Sequence, residues 1–170
     1  MPKKAKQEKK DADSKTKELK IITVQVVTRD RVVKNPRQMG LLYVIDVFGP
    51  LHERTLQEIV YDLQQSGADF GYDFKVVGGV PYSPTLKSDV SALLYVGFIE
   101  TNPRLNRKLQ TTNDGKDALE KYGAPPGIVE VVKRNFEAIK NKASMINSRI
   151  DFELTRKLRE ISRPRRRFPF

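Results

Sequence analysis

The 170-residue chain contains no cysteine, no tryptophan and a single histidine. Absent cysteine excludes disulfides, thiolate nucleophiles and thiol-ligated zinc. One histidine, His52, leaves no partner for a Ser–His–Asp relay or a multi-histidine metal site, and at the start of a helix it reads as a surface residue. Gly78-Gly79 is not followed by the Lys-Ser/Thr that a phosphate-binding loop needs. Asp69 and Asp73 flank Phe-Gly-Tyr, where turn and cap roles outweigh a catalytic pair. The expectation is therefore no enzyme, no cofactor and no metal. No run of about 18 apolar residues is present, so no membrane-spanning helix is expected. The opening stretch MPKKAKQEKKDADSKTKELK is charged throughout and lacks the apolar core of a secretory signal. A cytoplasmic protein, associated with the nucleoid or with ribosomes, is the expectation.

Positive charge, by contrast, is plentiful and unevenly placed. The chain carries 32 Lys and Arg against 21 Asp and Glu, a net charge of +11. Residues 1–20 hold a net +4 and residues 156–170 a net +6, leaving +1 for the 135 residues between. Basic ends on a near-neutral body suit arms that lie along phosphates or another polyanion. Solubilising tails with no fixed partner are the simpler alternative.

Residues 1–18 are polar, rich in lysine and expected to be disordered. The β-branched stretch Leu19–Val33 predicts a strand, with a hairpin turn near Arg29-Asp30-Arg31. Apolar spacing then predicts helices over Pro36–Phe48 and Leu51–Gln65, with Leu56, Ile59, Val60 and Leu63 on one face of the second. Ala68–Tyr82 reads as a loop with an extended segment. Ser83 before Pro84 is an N-cap followed by proline at the first helical position, which starts a helix over Pro84–Val96 that Gly97 stops. A strand "FIET", a tip Asn102–Lys108, a returning strand "LQTT" and a short helix ending at Gly123 follow. From Pro126 to Ile161, apolar residues fall every three or four positions on one seam. One helix of that length spans about 50 Å, against a diameter of roughly 30 Å for a compact domain of this size. It is expected to overhang, bend back or pair with a partner, and a homodimer through the 126–161 helix is the favoured outcome.

Three helices, a strand–tip–strand and another helix follow the order of the winged-helix variant of helix-turn-helix. "LLYVGFIE", Leu93–Glu100, resembles the L-x-x-x-G-[LF]-I-E exit from the third helix of many winged-helix regulators. "LQTTNDGKDAL", Leu109–Leu119, is similar to their Y-x-L-T-x-x-G-x-x-x-L exit from the wing, with Thr111 in place of the leucine. There Thr112 caps the next helix, and Gly115 and Leu119 lie within it. More widely, residues 51–100 resemble the YwgA-type and phage-associated winged-helix families through Gln57, Val60, Tyr61, Gln64, Gly71, Tyr72, Phe74, Pro81, Tyr82, Ser83, Pro84 and Leu86. Their Gly-Pro-Tyr is Val80-Pro81-Tyr82 here. In architecture alone, a winged domain with a long helix and basic ends resembles small archaeal chromatin proteins. The resemblance implies an α+β, mainly α fold. The chain is expected to comprise a disordered basic tail (1–18), a winged helix-turn-helix domain with an N-terminal β-segment (19–124), a long C-terminal helix (125–161) and an Arg-rich tail (162–170), the tails and the long helix falling outside the resemblance.

The third helix offers Thr85, Lys87, Ser88, Asp89, Ser91 and Tyr95 outward, too little basic or amide chemistry to read base edges. The wing, with Arg104, Arg107, Lys108 and Lys116, is better suited to a phosphate ridge or a minor groove. The C-terminal RPRRRFPF supplies Arg163, Arg165, Arg166 and Arg167 for phosphates and two phenylalanines for stacking. Docking of that end on a protein is the competing use. The functional expectation is a nucleic-acid-binding protein, DNA favoured and RNA possible, acting through Lys87, the wing and the tails. The alternatives are a ribosome- or ribonucleoprotein-associated RNA-binding factor and a protein-interaction module.

Overall fold

The computed structural model describes residues 27–162. The disorder expected for 1–18, the strand expected over 19–26 and the Arg-rich segment 163–170 lie outside the described residues. The fold is a mainly helical α+β domain with two small antiparallel hairpins and a long C-terminal helix. Its elements are α1 (Arg29–Val33), α2 (Pro36–Phe48), α3 (Glu53–Gln65), β1 (Lys75–Val77), β2 (Val80–Tyr82), α4 (Pro84–Val96), β3 (Ile99–Asn102), β4 (Lys108–Thr111), α5 (Asn113–Tyr122), α6 (Pro126–Arg134) and α7 (Phe136–Ser162).

The core forms around α2. Met39, Gly40, Leu41, Leu42, Val44, Ile45 and Phe48 are all buried, so this helix is covered on nearly every side, as its almost unbroken apolar composition requires. Leu56, Ile59, Val60 and Leu63 of α3, Leu86, Val90 and Leu93 of α4, and Ile128 and Val132 of α6 complete the same cluster. At Gly40 a β-carbon would collide with the Ile128 side chain of α6.

The strand expected across Arg29–Val33 is a helix instead. Thr28 caps it by accepting from the Arg31 amide. Arg29 then reaches over the Phe98 ring, donating to the Val96 carbonyl at 3.1 Å and to Asp114 at 2.7 Å. Val32 is fully buried. The β-branched pattern was outweighed by a local cap and by tertiary contacts.

The 68–82 segment is more ordered than a loop with one extended stretch. Lys75 pairs with Tyr82 and Val77 with Val80. Gly78 and Gly79 turn the hairpin at φ 59° and 80°, the left-handed conformation that a two-residue hairpin loop demands at both centres. Two glutamines of α3 fasten the path around it. Gln64 donates to the Tyr72 carbonyl and accepts from the Tyr72 amide, and Gln57 does the same for Ser83. Gln57 thereby ties α3 to the cap of α4, which explains in hydrogen-bond terms several of the motif positions in residues 51–100.

Helix α4 runs as expected from Ser83, whose hydroxyl accepts from the Leu86 amide, to Gly97 at φ 80°. Thr112 starts α5 and closes the second hairpin at once. Its hydroxyl donates to the carbonyls of Gly97 (2.6 Å) and Phe98 (3.1 Å) and accepts from the Gly115 amide. Strands β3 and β4 pair from Ile99↔Thr111 to Asn102↔Lys108. Leu51 adds one bridge to Leu109, linking this hairpin to the segment before α3.

The single helix expected over 126–161 is two helices. Asn135 interrupts it, with its side chain donating to the Val131 carbonyl. The interruption lets Ile128 and Val132 face α2 while Phe136 stacks on Phe48, ring centroids 5.6 Å apart. Beyond it, α7 runs antiparallel along α3, burying Ile139 and Ala143. Its 27 residues rise about 40 Å, so its C-terminal turns outrun the body. Among the described residues, no helix is long and apolar enough to cross a membrane, and no acidic, histidine or cysteine cluster could hold a metal.

Candidate nucleic-acid interface

The tip between β3 and β4 is shaped by asparagines. Asn102 caps a short 3-10 turn, Pro103–Leu105, by accepting from the Arg104 amide at 3.0 Å. Asn106 and Arg107 then take left-handed backbone angles, φ 52° and 58°. This turn holds Arg104 and Arg107 out in solvent, and neither guanidinium has an acidic partner among the described residues.

Lys108 behaves differently. Its side chain is only 14% exposed, and its ammonium lies 2.6 Å from Asp151 of α7. The same carboxylate accepts from Asn106 at 2.8 Å and contacts His52 Nε2 at 2.9 Å. One helical turn earlier, Asn147 accepts from the His52 amide and the Thr55 hydroxyl and donates to the Pro50 carbonyl. Burial pushes the Asp151 carboxyl upward, but the hydrogen bonds from Lys108, Asn106 and His52 outweigh it and hold the pKa down at about 2. A charged lysine, a carboxylate and the only histidine thus pin the hairpin tip and the N-terminus of α3 to one place on α7.

His52 is therefore not the surface residue its position suggested: it is 7% exposed and built into this knot. Nothing local in the sequence signals it, because its partners lie 95 and 99 residues away. Asn106, Asn147 and Asp151 carry no local signal either, because their partners too are distant in sequence. Asp89, expected on the outer face of α4, is buried too. It accepts from Arg37 (2.8 Å), Gln38 (2.8 Å) and Tyr72 (2.9 Å), with Arg37 also stacked 5.1 Å over the Tyr72 ring. Burial, followed by the Asp89 charge, keeps the Tyr72 hydroxyl protonated well beyond its ordinary range. The outward face of α4 is therefore less acidic than the sequence suggested, with Lys87 about 4.0 Å from Glu53 of α3.

The sequence-chosen cations divide into three groups. Arg104 and Arg107 stand free at the tip, while Lys108 is consumed beneath it. Lys87 and Lys116 are exposed on α4 and α5. Arg163, Arg165, Arg166 and Arg167 lie outside the described residues, but α7 leads toward them, with exposed Arg156, Lys157 and Arg159 on its last turns. The knot at Asp151 holds the hairpin tip against α7, one to two turns before these exposed basic residues. A side-chain array of this kind can hold phosphate oxygens by charge and by forked hydrogen bonds. Comparison of the chain with protein-family models, with curated proteins and with solved structures finds no match, so its function has to be read from this arrangement.

Proposed function

We propose that the chain is a non-enzymatic winged-helix protein that binds DNA, largely without regard to sequence, through the β3–β4 tip and its basic ends. The observation that carries this reading is the pair of unpaired arginines, Arg104 and Arg107, presented by a hairpin whose underside is neutralised and anchored at Asp151. An anchored tip loses little freedom on meeting a phosphate ridge, which favours binding. Support for the winged-helix assignment comes from the order of α2, α3 and α4 followed by the β3–β4 hairpin and α5, and from Leu51 bridging to that hairpin. The polar but weakly basic face of α4 favours backbone contact over base readout.

Binding of the full chain to a short duplex, followed by fluorescence anisotropy across a salt series, tests the proposal. Affinity is expected to fall steeply with salt. Replacing both Arg104 and Arg107 by Ala removes two phosphate contacts and flattens the log–log slope by about 1.8. Removing residues 1–18 and 163–170 flattens it further. No binding to duplex at low salt sinks the proposal, and tight binding to single-stranded RNA alone transfers it to a ribonucleoprotein partner.

A further inference from the structure

The β1–β2 hairpin leaves an apolar cleft of about 550 Å³ against α3, walled by Val77, Val80, Pro81 and Tyr82 and closed by the first turns of α3. Most polar groups at its edge are already satisfied. Both ends of the Gln57 amide are taken by Ser83, and Arg54 pairs with Glu58 at 3.4 Å. Glu53 is held more loosely: its side chain is 46% exposed and its ion pair with Lys87 is 4.0 Å long. Val77 is 63% exposed and Val76 beside it 71%, so this hairpin sets two valines in water. Such a cleft suits aromatic and prolyl side chains with a cation beside them.

The chain itself supplies a segment of that chemistry. Residues 163–170 read RPRRRFPF, cations first and then Phe168-Pro169-Phe170. Each phenylalanine has roughly 150–250 Å² to bury, and proline favours the extended conformation that aromatic-walled grooves receive. The reach is sufficient. A narrow, polar cleft shares Arg54 and Val80 with the apolar one, and α7 borders it at Ile150 and Glu153. From Glu153 to Ser162, where α7 ends, is about 14 Å along the helix. Arg163 precedes Pro164, which disfavours further helix. Six extended residues span about 20 Å, so a chain turning back after Ser162 brings Phe168 level with Glu153 and still crosses about 14 Å sideways. That exceeds the spacing of about 8–10 Å between packed helices.

We infer that residues 163–170 fold back along α7 and seat Phe168 and Phe170 in this cleft, against Val77, Val80 and Tyr82, with an arginine of the segment beside Glu53. The side of α7 that the segment follows has a consequence. Asp151 and Glu153 are two positions apart, about 200° around the helix. The first holds the β3–β4 tip, and the second borders the clefts. A docked segment therefore carries Arg163, Arg165, Arg166 and Arg167 away from Arg104 and Arg107. One duplex meets both sets only after the segment leaves the cleft, so docking withholds part of the phosphate contact. This consequence rests on the DNA-binding proposal, whereas the docking does not.

The chain lacks tryptophan and cysteine, so each can be introduced as a sole probe in the full protein. Without nucleic acid, Phe170→Trp should give an indole shielded from acrylamide, and adding Val77→Asp should abolish the shielding, because a carboxylate spoils the apolar wall. Val77 is exposed, so that substitution leaves the fold intact, checked by circular dichroism. Val77→Cys with Phe170→Cys should close an intramolecular disulfide at least about ten-fold faster than Met145→Cys with Phe170→Cys, because docking raises the effective concentration at the cleft alone. Met145, 74% exposed, lies on the solvent face of α7. An indole open to quencher with or without Val77→Asp, or equal closure rates for the two cysteine pairs, overturns the inference. A disulfide formed only between chains also overturns it and assigns the cleft to a second copy. Adding a short duplex at low salt should return the indole to water. Bound duplex with the indole still shielded overturns the release, whereas absence of duplex binding overturns the DNA-binding proposal and leaves the docking standing.

Discussion

Two carboxylates in this fold gather three donors each, and they serve different ends. Asp89 sits inside, between α2, α4 and the segment before β1, where Arg37, Gln38 and Tyr72 converge on it. Asp151 sits at the rim, 30% exposed, where Lys108, Asn106 and His52 meet it. The inner knot joins elements that are already packed by apolar contacts. The outer one joins a hairpin tip and a projecting helix that have little else in common. The difference teaches that hydrogen-bond count alone does not tell what a buried charge is for: the inner knot completes a core, and the outer one fixes a basic surface in place.

Substitution can break this comparison at its stronger end. Asp89→Ala leaves Arg37 and the Tyr72 hydroxyl without their acceptor in a nearly dry site, and chemical denaturation should show a loss of about 3–5 kcal/mol. Asp151→Asn should cost less, on the order of 1 kcal/mol once solvent screening is allowed for. The depressed Asp151 pKa gives that loss a pH signature. A carboxyl lowered in the folded state stabilises it above the ordinary carboxyl range, and the contribution fades as pH falls from about 4 through about 2. The wild type and Asp151→Asn should therefore differ at neutral pH and converge near pH 2, with faster amide exchange at residues 102–108 of the variant at neutral pH. Lys108→Met, which keeps the aliphatic stem, should lose less than Asp151→Asn, because Asn106 and His52 still hold the carboxylate. At the weak end, Arg104→Ala with Arg107→Ala should change stability by less than about 0.5 kcal/mol, as exposed, unpaired side chains do, while lowering the DNA affinity that the proposed function assigns to the tip.

Local signals in the sequence located most elements, because caps and glycines act locally. Ser83-Pro84, Gly97 and Thr112 each mark a helix boundary that the structure keeps. Long-range chemistry was illegible. Asp89 occupies a polar position on a helix face, and only the arrival of Arg37, Gln38 and Tyr72 from elsewhere makes burial tolerable. His52 likewise acquires its role from Asp151, 99 residues away. The helix at Arg29–Val33 was misread because β-branched residues favour extended backbone locally, whereas the Arg29 contacts that hold the segment come from α4 and α5. The interruption at Asn135 is silent in the sequence because the apolar spacing runs through it without a change of phase.

The hydroxyl of Thr112 has a further implication for which sequences this fold permits. It shares its one proton between the Gly97 and Phe98 carbonyls and accepts from the Gly115 amide, so it both donates and accepts at this junction. Valine has the same shape and none of these bonds, whereas serine keeps them all. Gly115 is tighter still, because any β-carbon there runs into the Phe98 carbonyl and the Thr111 side chain. In a saturation scan scored by folding, position 112 should admit serine and little else, and position 115 should remain glycine. These two neighbours form a checkpoint through which any variant of the chain has to pass.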